Sequence, residues 1–319
     1  MTATMAPTHT PVMVTEVVAA ILPSLAHPGA VMVDATVGLG GHSAALLEAS
    51  QCRLIGIDHD GEALAVAAAR LARFQQRVDL VRARFDALPD VLDELGIGQV
   101  SAVFFDLGLS SLQIDRDERG FTYSKDAPLD MRMDDRLTFS AADLVNTWPA
   151  ADLARVLRDF GDESHANRVA QAIVDARAAG PILTTGHLVQ VVTDAMPAAV
   201  RFGPGGHPAK RVFQALRIAV NDELTALRAA LPAALDRVRV GGRVAALAYH
   251  SGEDRIVKQA FRAVTRVAAP RRLPVVPGHL EPRFRDEVDA ARPSSAEIAA
   301  NARSASARLR VVARIKESR

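Results

Sequence analysis

One cysteine, Cys52, stands in a chain of 319 residues, so no internal disulfide and no thiolate metal cluster can form. A reducing, cytoplasmic setting fits that usage. Cys52 itself stands at the start of an apolar run and reads as a small core residue rather than a nucleophile. The nine histidines show no metal-ligand spacing, and no catalytic metal is expected. Although 49% of the residues are hydrophobic, no run reaches the roughly 18 consecutive apolar residues of a membrane span. The opening MTATMAPTHTPVMVTE has neither the basic start nor the apolar core of a signal peptide. Disulfide scaffolds, metalloenzymes and membrane-spanning proteins are set aside by these absences.

Net charge is also nearly absent, at +1, but the balance shifts along the chain. Residues 1–113 hold 6 Lys/Arg against 12 Asp/Glu, and residues 114–207 hold 10 against 14. From Pro208 onward the count is 22 against 11, an excess that suits a polyanionic partner such as nucleic acid.

The first third alternates strand and helix patterns. AVMVDAT (30–36), RLIGID (53–58), VDLVRAR (78–84) and VSAVFFDLG (100–108) read as buried strands, and Leu64, Ala67, Leu71 and Phe74 recur at helical spacing between the second and third. This order predicts a parallel, doubly wound α/β sheet. Residues 114–207 contain only helical patterns, with Gly161 and Gly180 as stops and Trp148 in a small core of their own. RFGPGGHP (201–208) reads as a linker. One long helix is then expected to carry Phe213, Leu216, Val220, Leu224, Leu227 and Leu231 on a single face. Strands follow at 241–250 and 307–315 around a helix at 253–264, and 270–305 looks irregular. The reading is one sheet domain built from 1–113 and 208–319, with a helical insertion at 114–207.

In such a sheet, ligands lie at the carboxyl ends of the strands, near the point where strand order reverses. The loop VGLGGHS after the first strand offers close backbone approach through Gly38, Gly40 and Gly41. Asp58 ends the second strand, where a carboxylate can hold both hydroxyls of a ribose, and Phe85 follows the third, where it can flank an adenine. Asp106 ends the fourth. The loop lacks the third glycine of a dinucleotide fingerprint, which disfavours a nicotinamide oxidoreductase. S-adenosylmethionine has no pyrophosphate to cradle, and the pattern favours a methyltransferase using it.

HTPVM, DATVGLGGHS, GIDHD, FFDLGLSS, DERGFTYSKDAPLDMRMD, HPAKRVFQALRIAVNDEL and HSGEDRIVK, in this order from about His9 to the end, closely resemble the bacterial 16S rRNA cytosine-N(4) methyltransferase family. The resemblance implies a class I, Rossmann-like S-adenosylmethionine-dependent methyltransferase sheet with an inserted all-helical domain for substrate recognition. Its substrate would be a cytosine in the decoding region of 16S rRNA, within the small ribosomal subunit. By position in the matching motifs, Gly40, Gly41, His42, Asp58, Phe85, Asp106 and Gln113 would contact the cofactor. Ala35, Val37 and Gly252 depart from residues usual in the family.

The amino nitrogen of cytosine is a poor nucleophile, because its lone pair is delocalised into the ring. Transfer needs in-line alignment with the sulfonium methyl and an acceptor for the amino group. Asp106 is a candidate for that acceptor as well as for cofactor contact, and His250 for base or phosphate contact, while Ser251 and Asp254 suit a helix cap. Phe121, Tyr123 and Tyr249 are candidates for stacking on the base, Asp130 and Arg132 for ordering a loop or binding RNA, and Lys210, Arg211 and Arg217 for phosphates. Two alternatives stand beside this reading: a methyltransferase for protein or DNA, and a catalytically silent RNA-binding protein. The oligomeric state is left open, a homodimer included.

Overall fold

A computed structural model describes residues 11–201, 206–267 and 281–317. Two compact units make up the chain, one from Met1–Gly108 with Leu224–Arg319, the other from Leu109–Glu223.

The first unit is built on seven strands: β1 (Val31–Asp34), β2 (Arg53–Asp58), β3 (Val78–Arg82), β4 (Val100–Asp106), β5 (Val238–Ala248), β6 (Phe284–Ala291) and β7 (Arg308–Arg314). Their order is β3-β2-β1-β4-β5-β7-β6. Neighbours from β3 to β5 are parallel, and β7 runs antiparallel to both β5 and β6. The near-continuous apolar runs of β1, β2 and β4 follow from this placement, because central parallel strands are covered on both faces. Strand order reverses between β1 and β4, and Asp34 and Asp106 stand at the carboxyl ends of those two strands. On one face Met32, Leu54, Phe104, Leu247, Leu309 and Val311 pack with Ile21, Leu46 and Leu71 from the flanking helices.

β6 was not expected, since it lies within the stretch read as irregular. It is an edge strand of sequence FRDEVDAA, and its charged, largely unburied side chains carry no apolar alternation. Residues 268–280 of that stretch, and 202–205 of the linker reading, lie outside the described residues.

The second unit is helical, with its own core of Leu144, Leu153, Leu157, Val169, Ile173, Leu188, Phe213 and Leu216, against which Trp148 packs. Its limits differ from those expected at 114 and 207. The helix Ala209–Asn221 joins it because Gly161, on the helix Ala150–Gly161, brings that helix against the backbone of Arg211: a Cβ at Gly161 would stand 2.6 Å from the Arg211 carbonyl oxygen. The single long helix expected from Phe213 to Leu231 is two. Asp222 turns the chain with φ 51°, and a new helix, Glu223–Arg237, carries Leu224, Leu227 and Leu231. Aspartate tolerates that left-handed conformation better than most residues.

Candidate active site

The glycine loop joins β1 to the helix Gly41–Ala49. Gly38 and Gly40 have φ of 50° and 74°, which L side chains rarely adopt. Gly40 also lies against the helix Gly61–Leu71: a Cβ there would stand 3.3 Å from Leu71 and 3.4 Å from Ala67. At Gly41 a Cβ would stand 2.5 Å from Pro11 Cγ, so this glycine makes room for the protein's own N-terminal segment. Gly38 is the open one, with only the Thr36 carbonyl oxygen nearby, at 3.7 Å.

Asp58 is tied to this loop. Its Oδ2 accepts the Gly38 N–H at 2.9 Å and its Oδ1 the Asp60 N–H at 2.9 Å. Asp60, not Asp58, caps the following helix, accepting from Glu62 and Ala63. Burial raises the Asp58 pKa, opposed by His59 and by the two backbone donors. Phe85 starts a short 3-10 turn after β3 and meets Phe105 edge-on, with ring centroids 6.1 Å apart. Left-handed open backbone at Gly38, a carboxylate at the end of β2 and a half-buried aromatic after β3 suit the methionine, ribose and adenine parts of S-adenosylmethionine respectively.

Asp106 is tied to three separate segments of the chain. Its Oδ1 accepts the Tyr249 hydroxyl at 2.8 Å, and its Oδ2 lies 3.3 Å from His42 Nδ1. Its backbone N–H donates to Thr36 Oγ1 at 2.6 Å, which links the ends of β4 and β1. Tyr249 also packs on the turn that follows: a Cβ at Gly108, whose φ is 100°, would stand 3.3 Å from the tyrosine ring. Tyr249 therefore braces Asp106 and the turn after β4, which explains its position better than stacking on a base.

Asp34, the acid that ends β1, is only 1% exposed and accepts the Ser43 hydroxyl at 2.6 Å. Burial raises its pKa to about 6 from 3.8, against the Ser43 hydrogen bond and the neighbouring His42. A group that binds its proton more tightly when folded stabilises fully below its unfolded pKa and loses that contribution as pH rises through the folded value. Asp34→Asn stays neutral, so it is expected to gain up to about 3 kcal/mol on the native chain between pH 4 and pH 7. Urea titrations of both chains across that range measure the difference, and a pH-independent gap would contradict it.

His250 does not stand ready as a base. Its Nδ1 accepts from the backbone N–H groups of Gly252 (3.2 Å) and Glu253 (3.4 Å), capping the helix Ser251–Thr265. Its other nitrogen lies 3.1 Å from Glu253 Oε1. The cap therefore starts one residue before the expected Ser251, and Asp254 instead accepts from Arg310 at 2.8 Å. Gly252 accommodates the folded-back ring, since a Cβ there would stand 3.1 Å from it.

Gln113 belongs to the second unit, where its side-chain oxygen accepts the Ser110 N–H at 3.0 Å in a capping box. Arg217 is also occupied there. Its guanidinium forms two hydrogen bonds to Glu223, at 2.8 and 2.9 Å, with both side chains largely buried. That removes it from the free phosphate contacts. Lys210 is exposed, and Arg211 donates to the Asp162 carbonyl oxygen. Phe121 is core at 8% exposure, and Tyr123 stacks on His207 with centroids 4.8 Å apart. Asp130 and Arg132 hold each other through hydrogen bonds at 2.9 and 2.6 Å, ordering their loop.

The structure brings Gly40, Gly41, His42, Asp58, Phe85 and Asp106 together in the first unit. It adds Asp34, Thr36 and the Tyr249 hydroxyl, which the sequence reading did not assign. Asp34 carries a signal, an acid ending the first strand, whereas nothing in the pattern marks Thr36 as the partner of a backbone 70 residues away. Among the described residues no group of histidine, cysteine and acidic side chains could hold a metal ion, and no helix is long and apolar enough to cross a membrane.

The chain resembles proteins named ribosomal RNA small subunit methyltransferase H. That of Acidothermus cellulolyticus is 54% identical over 313 residues, covering 98% of this chain and 95% of the relative. Those of a Nocardioides species and Streptomyces avermitilis are 52% and 50% identical, covering 97% of this chain and 97% and 98% of the relatives. The model of the MraW methylase family matches residues 6–315, and with nearly the whole chain matched, the protein belongs to the MraW methylase family.

Proposed function

We propose that the chain transfers the methyl group of S-adenosylmethionine to the N(4) amino group of a cytosine in the decoding region of 16S rRNA. The observation that carries this reading is the meeting of the glycine loop, Asp58 and Asp106 at the carboxyl ends of β1, β2 and β4, where strand order reverses. The names of its relatives support a small-subunit rRNA substrate. Bound S-adenosylmethionine supplies an electrophilic methyl on a sulfonium. Asp58 accepts from the ribose hydroxyls, the Gly38 backbone admits the methionine part, and the Phe85 ring flanks the adenine. Asp106 accepts an amino N–H of the cytosine and turns the nitrogen lone pair toward the methyl, so the gain comes from alignment. A base within folded RNA must be exposed before it reaches this site, and the helical unit is assigned to gripping the surrounding RNA.

The decisive test is methyl transfer from labelled S-adenosylmethionine to small ribosomal subunits that lack the modification, followed by nucleoside digestion and mass analysis. N(4)-methylcytidine is the expected product. Label in protein or DNA, with no modified cytidine, would overturn the substrate.

Phosphate contacts are assigned to Lys210 and Arg211, and to the helix Ser251–Thr265 with its following residue. There Arg255, Lys258, Arg262 and Arg266 have no ion-pair partner among the described residues, and the last three line a groove that also holds Phe261, Val288, Arg310 and the carboxylates of Asp286 and Asp289. Replacing Lys258 and Arg262 together by glutamate is expected to weaken RNA binding at least about tenfold at 0.15 M salt. The slope of log affinity against log salt should fall by about 2, with cofactor affinity unchanged. An unaltered slope would place the phosphates elsewhere.

A further inference from the structure

His42 is 5% exposed, and both of its ring nitrogens face acceptors. Nε2 lies 2.8 Å from the Val12 carbonyl oxygen, and Nδ1 lies 3.3 Å from Asp106 Oδ2. A neutral imidazole carries one N–H, so it would turn a lone pair toward one of these acceptors. Only the doubly protonated ring donates to both. The Phe104 ring packs edge-on against the imidazole, with centroids 5.0 Å apart. On the far side of Asp106 the Tyr249 hydroxyl occupies Oδ1. We propose that His42 is a buried imidazolium cation that fixes the Asp106 carboxylate, with the Tyr249 hydroxyl as the second donor. The His42 ring is then a positioning group, and the N-terminal segment at Val12 is part of what holds it.

This assignment decides what Asp106 can do. Each of its oxygens already has one donor, the imidazolium on one side and the tyrosine hydroxyl on the other. Each oxygen keeps a lone pair for an amino N–H, so Asp106 orients the substrate nitrogen, and the proton shed from the methylated nitrogen passes to water. The charged and titratable groups around the pair are Asp106 on β4, Asp34 on β1, Tyr249 after β5 with Glu253 and Glu297 acting on it, and Arg70, whose guanidinium lies beside Gly41. Burial pushes the His42 pKa down, but the hydrogen bond and charge of Asp106, the Val12 carbonyl and the charge of Asp34 push it up, and the net shift is upward. Burial and the Asp106 charge hold the Tyr249 hydroxyl well above its ordinary pKa, so it remains a donor. A raised histidine pKa stabilises the fold fully below its unfolded value, about 6.5, and that contribution is lost as pH rises through the folded value. The hold on Asp106 is released over the same rise, and kcat falls with it.

The test is a ¹⁵N-histidine NMR titration of the full chain, which needs no RNA, with methyl transfer measured in parallel. In the native chain both His42 nitrogens are expected at imidazolium shifts at pH 7.5, with the alkaline limb of kcat following the same titration. Asp106→Asn should leave the ring neutral at that pH. Tyr249→Phe should keep the imidazolium and lower kcat roughly tenfold, with the KM for S-adenosylmethionine changed less than about threefold. A neutral His42 in the native chain at pH 7.5, or a titration that Asp106→Asn does not move, overturns the proposal. Only the kinetic arm rests on the cytosine reading: loss of that reading with the imidazolium present would remove the substrate and leave the charge assignment standing.

Discussion

Asp106→Asn is expected to lower kcat for methyl transfer by about 10²- to 10³-fold while the chain still binds S-adenosylmethionine. Asparagine has the shape of aspartate but one acceptor oxygen and an NH2 group. If its oxygen takes the Tyr249 hydroxyl, its NH2 faces His42 Nδ1, which the carboxylate now faces at 3.3 Å. Charge and directionality are both removed from the group proposed to turn the amino nitrogen toward the methyl. The Asp106 backbone N–H, bonded to Thr36, is untouched, so the carboxyl ends of β1 and β4 should stay joined. Single-turnover transfer to unmodified small subunits measures the effect, alongside calorimetric cofactor binding. A variant that transfers at the native rate would exclude Asp106 from the chemistry.

Asp58→Ala should instead act on binding, raising the Kd for S-adenosylmethionine about 100-fold. Two hydrogen bonds from ribose hydroxyls to a carboxylate contribute roughly 3 kcal/mol or more together, and 1.4 kcal/mol is a factor of ten. The substitution also leaves the Gly38 and Asp60 N–H groups without their carboxylate, so the open glycine of the loop loses its tether to β2. Asp58→Asn keeps an acceptor for one of these donors and should weaken binding only about tenfold. Isothermal titration calorimetry separates the two, and equal Kd values for alanine and native chains would move the ribose away from β2.

The elements that sequence pattern reached are those whose signal is local. The strands β1, β2 and β4 announce themselves as apolar runs because parallel central strands are buried on both faces. β6 has no such run, since an edge strand exposes charge. The break at Asp222 was hidden because the apolar stripe continues across it in phase, from Phe213 to Leu231, although the two halves lie in different units. Three polar residues have local partners that the sequence does not announce. His250, Gln113 and Arg217 look available in a sequence, and each is bound by a neighbour within six positions: Glu253, Ser110 and Glu223. A composition or a motif does not record which lone pair or proton a side chain has already committed.

By itself, the sequence determined the doubly wound sheet, the glycine loop and the carboxylates at the ends of β2 and β4, because hydrophobic period and glycine placement act over a few residues. It also carried the family strings from which the cofactor and substrate readings follow. Tertiary structure alone decided which groups those carboxylates hold. The Val12 carbonyl, His42, Asp106 and Tyr249 come from four separate segments, and their hydrogen bonds span 30 to 143 positions. The protonation of His42 and the orientation of Asp106 depend on which acceptors and donors the fold brings within about 3 Å, at distances over which hydrogen bonds form.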